Sequence, residues 1–354
     1  MGEEIVSVVV GGQRFTAFLR AQVRASMKEA ARSFRLELAA ELGATATAWT
    51  FRAGAQVSIY ANDDLLLVGY VDRYRPRIDA TDARVAVEGR SKAADIVDSS
   101  AEHETGSFEA KTPVEIANEL AAPFGITFAA DGDLEPVDYQ ITPGESVFRA
   151  VEKLARQQGY TLMGEADGNV RLPKAGSKRH AGGIIEGHNL KSGEADHNWS
   201  NRHSKYVVRG QRATGSGPDS LEVEAIARDA GVGRYRPVII VEQDDTTPAR
   251  ARKTARNRRD KAAGRALTAT VTVQGFRDER GSIWQPGWLV WVESDFLQIR
   301  QEMLIETVDF VQDGVGGSET KLGLVDPRSY GGKKNKGNKS GEAWEQSDDE
   351  ATDE

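Results

Sequence analysis

The 354-residue chain has no cysteine. That absence excludes a disulfide framework, thiol catalysis and thiolate metal sites, and it fits assembly in a reducing cytoplasm. No apolar run is long enough to cross a bilayer as a helix, so no membrane contact is expected. The N-terminus lacks the basic start and long apolar core of a signal peptide. Also missing are a Gly-x-Ser-x-Gly elbow, a P-loop, a dinucleotide fingerprint and a His-Glu-x-x-His zinc motif. No pair of acids stands out for glycoside cleavage, although such pairs can lie far apart in sequence. The expectation is a protein without catalysis, cofactor or metal. Apolar residues make up 39% and charged residues 28%, with a formal net charge of −8. This is a polar globular chain whose overall charge does not point to nucleic acid. Its length allows two or three domains.

What is present is organised around the stretch from Thr142 to Pro173. Thr142 and Pro143 read as an N-cap and first helical position, and Glu145 completes a capping box. Val147, Ala150, Val151, Leu154 and Ala155 then recur at helical spacing, and Gly159 supplies a left-handed stop. A hairpin follows with Asp167-Gly168-Asn169 at its tip. A three-residue loop there keeps Val170 and Leu172 on the face of Tyr160 and Leu162. Thr112-Pro113-Val114-Glu115 is a second capping box, opening a helix with Ile116, Ala117, Leu120 and Ala121 inward. The result is a compact α/β unit, residues 99–175.

Both flanks read as β. Ile5 to Val10 is a β-branched run, and Phe34, Leu36 and Leu38 alternate with charged residues as in a half-buried strand. Asn62-Asp63-Asp64 marks a hairpin, and Arg84 to Glu88 alternates again. These short strands imply a small barrel or sandwich over residues 1–98. Beyond the α/β unit, residues 176–330 read as a second β domain. Gly176 to Gly193 is rich in Gly, His and Lys and reads as irregular. Tyr206–Arg209 and Val238–Val241 read as strands, and Thr214–Asp219 as a loop tip. Thr247-Pro248 opens a helix over 248–266, and four strands follow near Thr268–Gln274, Trp288–Glu293, Glu302–Phe310 and Lys321–Val325. Residues 331–354 are lysine-rich and then acidic, and such low-complexity blocks are expected to be disordered.

Four features are candidates for chemistry or contact. The helix from Pro248 carries Arg250, Arg252, Lys253, Arg256, Arg258, Arg259, Lys261 and Arg265 against Asp260, eight cations and one acid, a net +7. Nucleic acid is one reading. No aromatics interleave to stack bases, so contact with an acidic neighbouring protein or subunit is favoured, through Arg250, Arg252, Arg256 and Arg259. Trp288 and Trp291 alternate on one strand. Sugar stacking competes there with one core tryptophan and one at a subunit face. Glu186, His188, Glu194, Asp196, His197 and His203 have ligand chemistry but no defensible metal spacing, so they read as solvated loop residues. Trp344 is the one large apolar residue of the acidic end, which makes that end a candidate partner-binding peptide. Finally, the run from Tyr139 to Ser146 followed by a helix looks like the first half of a LysM peptidoglycan-binding module. A second LysM helix is missing.

Taken in order, V-V-V-G-G-Q-R-F, G-R-S-K-A-A-D-I-V-D-S-S-A, T-P-V-E-I-A-N-E-L, V-F-R-A-V-E-K-L-A-R-Q-Q-G, R-P-V-I-I-V-E-Q, the Arg-rich helix, V-T-V-Q-G-F-R and I-W-Q-P-G-W-L-V-W-V resemble the baseplate hub proteins of Mu-like contractile-tailed phages. The resemblance runs from roughly Val6 to Tyr330. It implies a β-rich α+β fold with two tail-tube-like β-barrel domains flanking the α/β domain. It further implies a non-enzymatic homotrimer in which these domains alternate, so that three chains join a sixfold tail tube to a threefold central spike. Similar modules begin the type VI secretion spike proteins. The implied partners are copies of itself, the spike, tube or tube-initiator proteins and other baseplate proteins, with no specific nucleic-acid binding. The implied location is the virion tail baseplate, after assembly in the host cytoplasm. A peptidoglycan-binding or wall-degrading tail-tip protein is the alternative. Truncation after Tyr330 is expected to leave the melting temperature nearly unchanged, because the segment beyond it has so little to bury. Differential scanning calorimetry checks this, and a large drop means that the segment docks on the fold.

Overall fold

The computed structural model describes residues 4–39, 51–80, 82–211, 222–242 and 246–330. The expected loop tip at Thr214–Asp219 and the C-terminal stretch with Trp344 lie outside the described residues. The chain starts with seven strands: β1 (Val6–Val10), β2 (Gln13–Phe15), β3 (Arg20–Ser26), β4 (Ser33–Ala39), β5 (Gln56–Ala61), β6 (Asp64–Ile78) and β7 (Ala83–Ser91). Alternation works as read: Phe34, Leu36 and Leu38 are buried, and the residues between them face water.

The α/β unit follows, with α1 (Ala94–Asp98), β8 (Ser107–Lys111), α2 (Pro113–Ala121), β9 (Phe128–Ala130), β10 (Val137–Gln140), α3 (Val147–Gln157), β11 (Met163–Gly164) and β12 (Val170–Leu172). Thr112 and Glu115 form the expected capping box on α2. At α3 the expectation is corrected. The cap is Ser146, whose hydroxyl accepts from the Arg149 N–H at 3.3 Å. Thr142 to Glu145 is instead a turn, with the Glu145 N–H on the Thr142 carbonyl at 2.9 Å. Gly144 has φ +83°, which a helix forbids and a type II turn requires after Pro143. The apolar face is as read: Val147, Ala150, Val151, Leu154 and Ala155 are all buried. Glu165 pairs with Asn169 around a three-residue loop, so Val170 and Leu172 join Leu162 in the core.

The rest of the chain holds β13 (Arg179–Ile185), β14 (Leu190–His197), β15 (Lys205–Gln211), β16 (Glu222–Arg228), β17 (Pro237–Val241), α4 (Pro248–Gly264), β18 (Leu267–Gln274), β19 (Leu289–Ser294), β20 (Ile299–Asp313) and β21 (Gly317–Val325). Gly176 to Gly193 is therefore not irregular. It contains β13 and the start of β14. Its composition misleads because Gly183 lies against Trp291, where an added Cβ would sit 3.1 Å from the indole. Small residues there serve close approach, a tertiary demand invisible to local propensity.

The two β-rich regions expected as separate barrels are halves of one open sheet. Its order is β14-β18-β21-β20-β3-β4-β7-β6-β5-β1-β2, with β19 on β20 and β13 on β19. The join is antiparallel pairing of β20 with β3, from Thr307 opposite Ser26 to Asp313 opposite Arg20. Among the described residues no sheet closes into a barrel. One core spans the join, holding Val23, Leu36 and Val87 with Val271, Phe310 and Leu322. Strands β15 to β17 form a separate three-stranded sheet, and α4 covers it. The basic helix is thus not a lone insertion but half of a small layer of its own.

The two halves repeat one plan. In the first, the strand order is β3-β4-β7-β6-β5-β1, and in the second it is β14-β18-β21-β20-β19-β13. Both follow the same sequence order, with β15 to β17 and α4 inserted in the second. The meander β5-β6-β7 has strands of 6, 15 and 9 residues, and β19-β20-β21 has 6, 15 and 9. Each long strand carries a bulge near its middle, between Val71 and Arg73 and between Ile305 and Thr307. The last strands differ: β1 runs antiparallel to β5, whereas β13 runs parallel to β19.

The α/β unit is fastened to this sheet by a buried cation. Arg32 lies between β3 and β4 and is only 4% exposed. Its guanidinium donates to the Gly164 carbonyl in the hairpin and to the Leu66 carbonyl in β6, both at 2.9 Å. Burial pushes its pKa down to about 10, against the pull of Glu165 and Asp167. Met27, Met163, Leu289, Leu304 and Val325 pack as a second fastening. The corrected cap gives a test. Ser146→Ala should cost about 1 kcal/mol by urea denaturation and Thr142→Ala far less. Leu154→Asp should cost about 3 kcal/mol or more, whereas the exposed Arg149 tolerates Ala.

Candidate partner interfaces

Helix α4 begins at Thr247, whose hydroxyl accepts from the Arg250 N–H at 3.2 Å. Ala251 and Ala255 are fully buried against Tyr206, Val208, Val223, Ala225 and Ala227. Alanine there lets the helix lie close to the sheet. Arg250, Arg252, Lys253, Arg256 and Arg258 are exposed. Among the described residues Arg252, Lys253 and Arg256 have no ion-pair partner. Arg259 departs from the expected face. It turns to Asp260 at 2.9 Å and the Arg228 carbonyl, so it holds the helix to its sheet. Glu242 lies at the foot of the helix, held below the usual carboxylate range by hydrogen bonds from Thr246 and Thr254, with Arg250 and Arg258 adding to this.

The far face of the small sheet carries apolar residues, with Val207 buried and Ile226, Ile239 and Val241 exposed. Val207 lies directly opposite Ile226 on one neighbour and Ile239 on the other. On β17, Ile239 is 55% exposed and Val241 70%, and Tyr235 just before the strand is 86% exposed.

The tryptophans are placed elsewhere, at the start of β19. Neither Trp288 nor Trp291 is the core tryptophan; that is Trp284, 3% exposed. Trp288 is half-buried between the His180 ring, 4.6 Å away, and the Lys178 ammonium. Trp291 is also half-buried, on the face opposite Val290 and Val292, and its indole N–H donates to Glu293. His180 itself was not picked out from the sequence, since it sits in a stretch that reads as loop. It is fully buried, donates from Nδ1 to Asp278 at 2.9 Å, and accepts the Gln285 N–H on Nε2. That second bond fixes the tautomer and keeps the ring neutral. Burial lowers the His180 pKa more than the Asp278 carboxylate raises it. Burial also raises Asp278, but the bonds from His180, Ala181 and Ser282 outweigh it and leave the acid ionised.

The cluster considered for metal is dispersed among fastenings. Glu186 accepts from the Ser294 hydroxyl and the Phe296 N–H, and the His197 ring bonds the Leu297 carbonyl. Among the described residues no group of three or more His, Asp or Glu converges as a metal site. A shallow polar groove between β3, β4, β6 and β7 is lined by Arg24, Arg35, Asp72, Glu88 and Arg90. Its charges largely neutralise each other, with Arg90 on Asp72 at 2.8 Å and Arg35 on Glu88 at 3.4 Å. Tyr139 donates to Glu145 at 2.6 Å, and after Gly159 comes a hairpin rather than a second helix. The LysM-like run is thus used as a structural turn.

Residues 5–91 match the N-terminal domain of the Mu phage baseplate assembly protein GpP-like family. Residues 93–174 match the second domain of the gp44-like baseplate hub proteins, and 247–332 the fourth domain of the GpP family. The baseplate hub protein gp44 of Escherichia phage Mu is 25% identical over 333 residues, 90% of this chain and 87% of that protein. The chain belongs to the baseplate hub proteins of Mu-like phages. The 43 kDa tail protein of prophage MuSo2 from Shewanella oneidensis superposes on this hub with a TM-score of 0.81, at 28% identity over 93% of this chain and 99% of that one. The E. coli c3393 protein, a component of the type VI secretion system, shares the fold, with a TM-score of 0.55 at 11% identity over 90% of this chain and 76% of that one. The hub is a structural protein of the virion tail rather than an enzyme, and it assembles with other baseplate and tail proteins.

His180 makes hub stability pH-dependent. Its folded pKa lies below the ordinary value of about 6.5, so the unfolded chain takes up the proton first. This contribution is complete above about pH 6.5 and is lost as the pH falls from there through the lower folded value. Asp278 titrates in a separate, more acidic window. Thermal melts between pH 7.5 and 5 should show His180→Gln less stable at neutral pH but with a flatter pH profile than wild type.

Proposed function

We propose that this hub is a homotrimeric ring that adapts a sixfold tail tube to a threefold central spike. The observation that carries this reading is the internal repeat. A chain with one β module would offer three contacts to six tube subunits, and a chain with two modules of one plan offers six. The strand orders, the 6-15-9 meanders and the paired bulges support treating the halves as two such modules. The working divisions are residues 1–98 and 176–330 for the two modules and 99–175 for the α/β domain between them. Rings of identical chains need a heterologous contact, in which different surfaces of each copy meet.

The partner-facing residues follow from exposure and charge. Arg250, Arg252 and Arg256 on α4 meet an acidic surface of a neighbouring baseplate protein. Trp288 and Trp291 are half-buried in the single chain and become buried in the assembly. Assembly takes place in the host cytoplasm, which a cysteine-free chain tolerates.

Light scattering across a concentration series tests the ring. The expected species has about three chain masses, with a central channel in electron micrographs. A stable twofold dimer overturns the reading, because one twofold axis cannot cap a threefold spike.

A further inference from the structure

We propose that the acidic segment 341–354 docks, within its own chain, on the cationic face of α4 and covers it until a baseplate partner arrives. The segment lies outside the described residues, and its charge is read from the sequence. It carries seven Asp and Glu and no Lys or Arg. Opposing it, Arg252, Lys253, Arg256 and Lys261 are exposed and have no ion-pair partner among the described residues. Arginines on the large sheet are treated differently: Arg75 meets Glu88, and Arg90 meets Asp72 and Asp98. Like charges a turn apart on one helix repel each other, so the α4 face favours an acidic occupant.

The path of the chain brings segment and helix together. After β21 the backbone makes a short 3-10 turn at Pro327–Tyr330. Arg328 holds it to Asp326 at 2.8 Å, and the Tyr330 hydroxyl donates to Glu306 at 2.6 Å. This turn crosses α4 at Gly264. A Cβ on Gly264 would sit 2.3 Å from the Ser329 nitrogen, so glycine is needed for the backbone to pass. Two and three turns of helix take about 7 and 11 residues, so Asn257 and Lys253 lie on one line with Gly264. Arg256 and Lys261 flank that line. The described chain therefore ends beside the C-terminal end of the face whose cations are unpaired.

Length fits as well. Residues 331–341 can span about 18 Å as a coil and about 36 Å extended. Lys253 lies about 17 Å from Gly264 along the helix axis. The tether includes four lysines, which the same face repels, so the acids beyond them are what meet it. Tethering also makes the contact intramolecular, at an effective concentration of about 1 mM. Exposed ion pairs then suffice for occupancy while adding little to the melting temperature. The contact lies within one chain and so stands apart from the ring. Only its displacement by an acidic neighbour rests on the proposed function.

The absence of cysteine allows a direct test on the full chain. Asn257→Cys with Ser347→Cys, treated with a short bifunctional maleimide at low salt, should give a product of one chain mass, linked between positions 257 and 347. The yield should fall about fivefold or more in about 1 M salt, where the screening length is about 3 Å. Lys253→Glu with Arg256→Glu should cause the same fall, and so should Asp348→Asn with Asp349→Asn and Glu350→Gln. Arg149→Glu on the α/β unit should leave the yield unchanged, with circular dichroism confirming the fold of each variant. A yield indifferent to salt and to charge reversal reflects tether length alone and overturns the proposal. A link joining two chains assigns the face to a second copy and also overturns it. No link at low salt leaves the face to another acidic partner or to nucleic acid, and overturns it too.

Discussion

The pairing of β20 with β3 is the constraint on which the rest of the hub depends. It joins residues far apart in the chain, such as Arg24 and Asp309, 285 positions apart. One core then runs under both halves, so neither half can shift without exposing apolar surface of the other. Such non-local pairing is slow to form, because the loop must close before any contact rewards it. The intervening α/β unit has its own core, with capped helices and a tight hairpin. It acts as a compact spacer rather than a long floppy loop.

Polar groups fix how the layers meet. Arg32 spends a full positive charge in a dry junction and is held by carbonyl oxygens of two different units. A buried donor without those acceptors is costly, so the geometry of the junction is narrowly specified. His180 and Asp278 do the same between β13 and the loop before β19, with Trp284 and Trp288 against the ring. Both sites fix geometry rather than supply chemistry, as suits a structural protein of the tail.

Surface charge divides by role. On the sheet face around β4 and β7 the arginines and acids answer one another across neighbouring strands. On α4, Arg252, Lys253 and Arg256 have no ion-pair partner among the described residues. Cross-strand pairs of opposite charge stabilise a ladder, and they hold the face around β4 and β7.

Much was legible in the sequence, for local reasons. Period-two alternation gave the strands at Phe34 to Leu38, helical spacing gave the buried face of α3, and Thr112 with Glu115 gave a cap. These signals depend on residues within a turn or two of each other. The start of α3 was misread because Thr-Pro-Gly-Glu fits both a cap and a turn, and only the positive φ of Gly144 chooses. Strand β13 was hidden because its glycines answer to Trp291, more than a hundred residues away. Arg32 and His180 left no local signal, since their importance lies in what surrounds them. The sequence by itself determined most of the element types, the cap at Thr112 and the family. Only the tertiary structure decided that the two β regions are one sheet built twice on one plan, because strand pairing is set by edges and registers between distant segments, and no short stretch of sequence contains both sides of that choice.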